Sequence, residues 1–219
     1  MRPSNLAYSR VDKPDAAFVE AAVNIFVGLM EEDPLAVGLT GGDISLLPML
    51  CRVMVSGLVL APGIGEAYAA TDEHGVVVGF LAFSLPGQLL FATEESRAHG
   101  FYDYVASLSE SGKEYFLNVM AKLPPDPNEA NKLEQASYWC NFAFIRADYQ
   151  GKGVAKTLFQ LSFQRGIDLN EKQMALIATN PKNLPIYKAI GFDLIDHKIV
   201  SSQWNDCNLW FLYRENEAA

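Results

Sequence analysis

Tyr138-Trp139-Cys140-Asn141-Phe142-Ala143-Phe144-Ile145 is aromatic, β-branched and apolar, and it reads as a strand. Arg146-Ala147-Asp148-Tyr149-Gln150-Gly151-Lys152-Gly153 follows as a compact basic turn. From Val154 to Gly166 apolar residues return at Val154, Leu158 and Leu161, and beside them at Ala155, Phe159 and Phe163, which is helical spacing. Met174 to Ala178 reads as a short buried strand, and Asn180-Pro181-Lys182-Asn183 as a loop. A short helix through Tyr187-Lys188-Ala189 then ends at Gly191-Phe192. The order is strand, turn, helix, strand, loop, helix, strand.

The chemistry open to this stretch is anion binding. A glycine-rich turn feeding a helix leaves backbone N–H groups without partners, and the helix start favours negative charge. Gly151 and Gly153 let the backbone approach a ligand closely. Lys152, Lys156 and Arg146 add positive charge, so a phosphate or pyrophosphate is the expected guest. The full nucleotide-loop pattern GxxxxGK[ST] is absent, and GxGxxG is incomplete because Lys156 stands where its last glycine would be. Taken alone, the turn reads equally well as a tight helix entry.

Gln150-Gly151-Lys152-Gly153-Val154-Ala155 matches the Q/R-x-x-G-x-G/A turn of the GCN5-related N-acetyltransferases, the GNAT superfamily. Asn180, Asn183, Tyr187 and Gly191-Phe192 resemble that family's second block, an Asn-containing loop before a helix that carries a Tyr, then GF. The length resembles that of fungal members. The resemblance implies an α/β acyl-CoA N-acyltransferase (GNAT) fold, a mixed central sheet flanked by helices. It implies one domain over residues 1–219, with a V-shaped opening at the Tyr138–Ile145 strand. Acetyl-CoA would enter that opening, its pyrophosphate held by Gln150, Gly151, Lys152, Gly153, Val154 and Ala155 with Arg146 nearby. A dinucleotide-binding doubly wound fold is the alternative, but an acidic ribose-binding residue is missing near the end of Met174–Ala178.

Composition bounds the rest. The chain has 219 residues, half of them hydrophobic, enough for a substantial core. A net charge of −9 argues against a nucleic-acid binder, which normally carries a basic face. Cys51, Cys140 and Cys207 show no CxxC pairing and read as small buried hydrophobes in a reducing, cytoplasmic setting. His74, His99 and His197 are isolated, so no metal site is expected. The N-terminus has no apolar signal-type segment, and the longest apolar region, Ile44 to Ile64, is broken by Pro48, Arg52 and Pro62. No membrane contact is expected.

Upstream, Leu6 to Val11 reads as a strand and Asp15 to Met30 as a helix capped by Asp12. In the resembled family this region borders the acceptor site, which would bring Phe26 or Met30 to the substrate. Glu31-Glu32-Asp33 reads as solvated surface that also suits a cationic amine. Leu35 to Leu39 gives one helical turn, and Asp43 caps a helix over Ile44–Leu58. Ala67–Thr71 and Val76–Ser84 read as a hairpin with His74 at its tip, the second strand buried on both faces. Phe101, Tyr104, Val105 and Leu108 have helical spacing, and Glu114 to Met120 reads as a strand. Leu123 to Glu134 is a polar insert, with a short helix near Glu129 to Gln135. Phe192–Ile199 and Cys207–Tyr213 read as antiparallel strands, joined by a loop in which Trp204 covers a site or anchors packing.

The resemblance implies acetyl transfer from acetyl-CoA to a primary amine of a small molecule or peptide. Tyr187 stands where the family's acid stands and would protonate the leaving thiolate. Backbone N–H groups of Phe144 or Ile145 would meet the thioester and pantetheine, and Asn180 and Asn183 the pantetheine arm. The general base stays open: Asn141, Glu114 and Glu134 are each poorly placed. Tyr102, Tyr115 and Trp139 suggest an aromatic-lined acceptor site. A homodimer is compatible with the sequence. A catalytically silent acetyl-CoA-binding or structural protein with the same fold is the second reading.

Overall fold

The computed structural model describes residues 5–122, 133–134, 136–169 and 173–216. The expected polar insert and its short helix, 123–135, fall almost wholly outside the described residues. Within them the strands are β1 (Ala7–Val11), β2 (Gly65–Thr71), β3 (Val77–Ser84), β4 (Tyr138–Ile145), β5 (Gln173–Ala178), β6 (Asp193–Ser201) and β7 (Asp206–Glu215). They form one sheet in the order β1-β2-β3-β4-β5-β7-β6. The β4–β5 pair is parallel and every other pair is antiparallel, which is the mixed sheet expected.

The helices are α1 (Ala16–Met30), α2 (Pro34–Leu39), α3 (Leu47–Val59), α4 (Glu94–Arg97), α5 (Phe101–Ser107), α6 (Glu110–Lys122), α7 (Val154–Asp168) and α8 (Leu184–Ala189). Asp15 caps α1, its carboxylate accepting from the Phe18 amide at 2.9 Å. The expected cap, Asp12, instead pairs with Arg10 at 3.1 Å. Asp43 begins a 3₁₀ turn, Ile44–Leu46, and α3 follows with Pro48 in its first turn, where a missing N–H costs nothing.

The strand expected over Glu114–Met120 is instead part of α6. An apolar run of that length fits either period, and tertiary contact decides. Phe116 is buried against Tyr104 and Phe101, while the next residue, Leu117, is 46% exposed. On α7 the buried set is Val154, Leu158, Phe159, Ser162 and Gly166, whereas Leu161, expected in the core stripe, is 38% exposed.

Helices cover both faces of the sheet. One core gathers α1, α3, α5 and α6 against β2, β3 and Phe142 of β4. The other gathers α7 and α8 against Tyr68, Phe83, Tyr138, Cys140 and Met174. β3 is buried along nearly its whole length, as a central strand sandwiched by helices must be.

A polar knot locks α7 to the sheet. Glu66 of β2 accepts from the Tyr138 hydroxyl at 2.5 Å, the Tyr68 hydroxyl at 3.0 Å and Arg165 Nε of α7 at 3.2 Å. Burial, reinforced for Tyr138 by Tyr68 and Glu66, pushes both tyrosine pKa values up, so both phenols stay protonated and donate. Glu66→Ala is expected to cost about 2–4 kcal/mol, because it removes the carboxylate partner of Arg165 and leaves the buried Tyr68 and Tyr138 hydroxyls, 3.0 Å apart, to bond to each other with one donor unmatched. Urea unfolding would measure it; a midpoint equal to wild type would show that the knot does not hold α7.

Candidate functional site: the turn after β4 and the β4–β5 gap

β4 pairs with β3 from Trp139 to Ile145, but with β5 only at Tyr138–Met174, Trp139–Ala175 and Cys140–Leu176. The two strands are parallel, so their C-terminal ends part. Asn141–Ile145 on one side and Ile177–Ala178 on the other face an opening rather than a ladder. This is the split expected at the Tyr138–Ile145 strand. Irregular pairing between Ala82 and Phe83 of β3 falls beside it, where a bulge bends the sheet.

The basic turn leaves β4 at this open end. Ala147–Tyr149 forms a 3₁₀ turn, and Gln150 Nε2 donates back to the Ile145 carbonyl at 2.9 Å, tying the turn to the strand. Gly151 (φ +70°) and Gly153 (φ +81°) lie in the left-handed region, and a Cβ at either would meet no atom within 4 Å. The glycines therefore answer to backbone conformation and leave open space in front of the turn. Gly153 opens α7 with no side-chain cap, so the first amides of a fifteen-residue helix remain available.

Three cations flank these amides. Lys152 and Lys156 are exposed, and Lys152 Nζ sits 5.1 Å from the Tyr149 ring centre. Arg146 also lies over that ring, at 4.7 Å, but it makes a two-pronged pair with Asp148 at 2.7 and 2.9 Å. That pair holds the Asp148 carboxyl below its usual range. Arg146 is thus partly neutralised within the turn, a pairing that residue type alone does not reveal. On its far side it lines a cleft with Ala21, Ile25 and Leu29 of α1.

The second block lies across the gap. Asn180 Oδ1 accepts from the Lys182 amide at 3.0 Å, which fixes the loop after β5, and Asn183 is exposed just before α8. Tyr187 is only 8% exposed and is walled by Phe159 and Phe192 at ring distances of 6.0 and 6.1 Å. Burial first, and then the neighbouring Cys140 thiol of β4, push its pKa up. Its hydroxyl therefore stays protonated. Phe144 and Ile145 supply backbone at the parted end of β4; the Phe144 ring itself packs on Phe26 at 5.1 Å. Asn141 donates to Ser84 Oγ at 2.8 Å.

Asp33 is the residue that sequence reading placed wrongly. It was expected on solvated surface, yet its carboxylate accepts from the Leu35 and Ala36 amides, capping α2, and from Thr179 Oγ1 at 2.6 Å. Thr179 follows β5, so Asp33 ties the α1–α2 corner to the parted end of the sheet. Asp-Pro before a short apolar run was the available cap signal.

The three aromatics expected to line an acceptor site have separate surroundings. Tyr102 is 54% exposed beside Arg97 and Glu94, and Trp139 packs with Ala175, Cys207 and Phe211. Tyr115 meets Trp204 edge-on at 5.7 Å with its hydroxyl buried and unpartnered. Trp204 in turn covers Gly42, where any Cβ would overlap the indole.

Among the described residues, no group of three His, Cys, Asp or Glu side chains could hold a metal ion, and no helix is long and apolar enough to cross a membrane.

No family model and no curated protein sequence matches the chain. Solved structures do. Arylalkylamine N-acetyltransferase 2 from Aedes aegypti superposes with a TM-score of 0.64 at 13% identity, over 98% of this chain and 100% of that one. A GCN5-related N-acetyltransferase from Kribbella flavida gives 0.56 at 13% identity, over 97% and 99%. The ribosomal-protein-S18-alanine N-acetyltransferase from Escherichia coli gives 0.54 at 10% identity, over 98% and 96%. A mixed central sheet flanked by helices is the architecture that these superpositions share: the chain has the GNAT fold.

Proposed function

We propose that the whole chain is one acetyl-CoA-dependent N-acetyltransferase domain acting on a primary amine of a small molecule or peptide. One observation carries the reading: an uncapped helix start behind two left-handed glycines stands at the mouth of the β4–β5 gap. That arrangement fits a pyrophosphate followed by an extended, amide-bearing arm. Acetyl-CoA would supply an acetyl group activated as a thioester.

The chain's own residues have distinct tasks. Amides from Gly151 to Ala155, with Lys152 and Lys156, hold the pyrophosphate. The backbone N–H of Phe144 or Ile145 lines the arm on one side, and Asn180 and Asn183 on the other. Amides in that position also suit an oxyanion. Tyr187 Oη holds a proton beside the gap and can release it to a leaving thiolate. The buried free cysteines suit a reducing, cytoplasmic location.

The aromatic cage around Tyr187 gives the second reading some weight, a silent acetyl-CoA binder. The test has two parts. Calorimetric titration with acetyl-CoA should give stoichiometric binding. Thiol release should then be followed across an amine panel headed by arylalkylamines and alanine-terminated peptides. Those are the acceptor classes named for two of the matched structures. Failure to bind acetyl-CoA overturns both readings. Binding without turnover on any acceptor leaves the binder.

A further inference from the structure

Asn141 stands where the sheet parts. It is the first residue of β4 beyond the last β4–β5 pair, Cys140–Leu176. It also has no partner in β3, whose register passes from Phe83–Cys140 to Ala82–Phe142. An extra residue of this kind is a bulge, and a bulge re-aims a side chain.

The Asn141 carboxamide is held in one orientation. Its Nδ2 donates to Ser84 Oγ at 2.8 Å and to the Trp139 carbonyl at 3.4 Å. A carbonyl only accepts, so the NH2 end must be the one that faces Trp139. Ser84 is fully buried, which fixes that anchor. Among the described residues nothing donates to Asn141 Oδ1, and that oxygen is not a buried one. A fixed amide with an open oxygen is a receptor for an N–H donor.

The two faces of β4 carry different groups at this point. Cys140 belongs to the core that α7 and α8 cover, with Tyr187 beside its thiol. Trp139 and Phe142 pack on the other face, against Leu35 of α2 and Phe26 of α1. Asn141 shares the face of Trp139, two residues before it, and bonds to Ser84, which stands opposite Trp139. Tyr187 and Asn141 are thus offered to the gap from opposite faces. Direct attack on a thioester needs a proton donor on the sulfur side and room for a nucleophile on the other. Exposed Glu31 and Glu32, with Asp33, make the α1–α2 corner on the Asn141 side acidic, which favours the approach of an amine.

Resting on the acetyltransferase reading, we propose that Asn141 receives the acceptor: its Oδ1 accepts a hydrogen bond from the attacking nitrogen on the α1–α2 face. The amine attacks as the free base, because an ammonium has no lone pair. That lone pair forms the N–C bond to the thioester carbonyl carbon, and the C–S bond breaks. Tyr187 gives a proton to sulfur, the nitrogen gives its surplus proton to water, and water restores the proton of Tyr187. Positive charge grows on nitrogen during attack, so the bond to Oδ1 is stronger in the transition state than before it. A primary amine has one N–H to keep on Asn141 and one to lose. A secondary amine must give up the only one it has. Asn141 therefore selects primary amines.

The test uses an acceptor that the amine panel shows to be acetylated, beside its N-methyl derivative. Asn141→Ala should lower kcat/KM for the primary amine roughly ten- to a hundredfold, the range for one hydrogen bond to a charged group. The N-methyl derivative should lose less, so the preference for the primary amine shrinks. Acetyl-CoA affinity by calorimetry and the thermal melt should stay near wild type. Ser84→Ala, which frees the amide to turn, should give a smaller loss with the same shrinkage, and it serves as the test if Asn141→Ala does not fold. Wild-type kcat/KM in a folded Asn141→Ala, or in Ser84→Ala where that variant stands in, overturns the inference alone. Equal losses on both amines also overturn it, leaving Asn141 a packing residue. A wild type that binds acetyl-CoA and acetylates no amine overturns the catalytic reading, and this inference with it.

Discussion

Gly153→Glu is expected to lower acetyl-CoA affinity by about a hundredfold or more while the protein remains folded. Two effects add. The position has φ +81°, where a side chain costs roughly 1–3 kcal/mol of backbone strain, so the turn shifts away from its cradle shape. The new carboxylate also faces a pyrophosphate, replacing charge-assisted attraction of about 1.5–3 kcal/mol per hydrogen bond with repulsion. Folding should survive because a Cβ there meets nothing within 4 Å. Gly153→Ala separates the effects, since it keeps the strain and omits the charge, and it should fall between wild type and Gly153→Glu. Calorimetry with acetyl-CoA, beside a thermal melt, measures both. Unchanged affinity in folded Gly153→Glu would remove the turn from the binding site.

Tyr187→Phe is expected to reduce kcat by roughly ten- to a thousandfold, the range for one general acid or somewhat below it. Acetyl-CoA affinity should change little. The ring is held by Phe159 and Phe192, and phenylalanine keeps those contacts. Because burial raises the Tyr187 pKa, the hydroxyl stays protonated as pH rises, so a pH–rate profile should carry no limb from it in the ordinary working range. Single-turnover kinetics with an acceptor from the amine panel is the measurement. Acetyl transfer at wild-type speed in Tyr187→Phe would leave Tyr187 as a packing residue.

The β4–turn–α7–β5 unit was legible because each piece is local. Strand pattern, positive-φ glycines and helical period are all properties of neighbours in sequence, and the observed boundaries fall within two residues of those expected. What failed was decided by distant contacts. Glu114–Met120 became helical because Phe116 packs on Tyr104 and Phe101, and nothing in the run itself chooses between the two periods. Asp33 looked like surface because its partner, Thr179, is 146 residues away. Arg146 is also paired with Asp148, only two residues on, which charge counting by type does not show. Tyr187 could be placed on its helix from sequence, but its depth depends on Phe159 and Cys140 from two other elements.

The short β4–β5 ladder also bears on how the molecule comes apart. β5, β7 and β6 are joined to the rest of the sheet by backbone bonds over three residue pairs only. Regions with few such bonds open locally at lower free energy than the rest of a protein. A guest bound to both sides of the gap closes that weak seam. At a ligand concentration a hundred times its Kd, mass action adds about 2.7 kcal/mol to the folded state. For a guest that spans the gap as proposed, the gain would fall where the sheet is thinnest, and filling the site would help to keep the C-terminal strands attached.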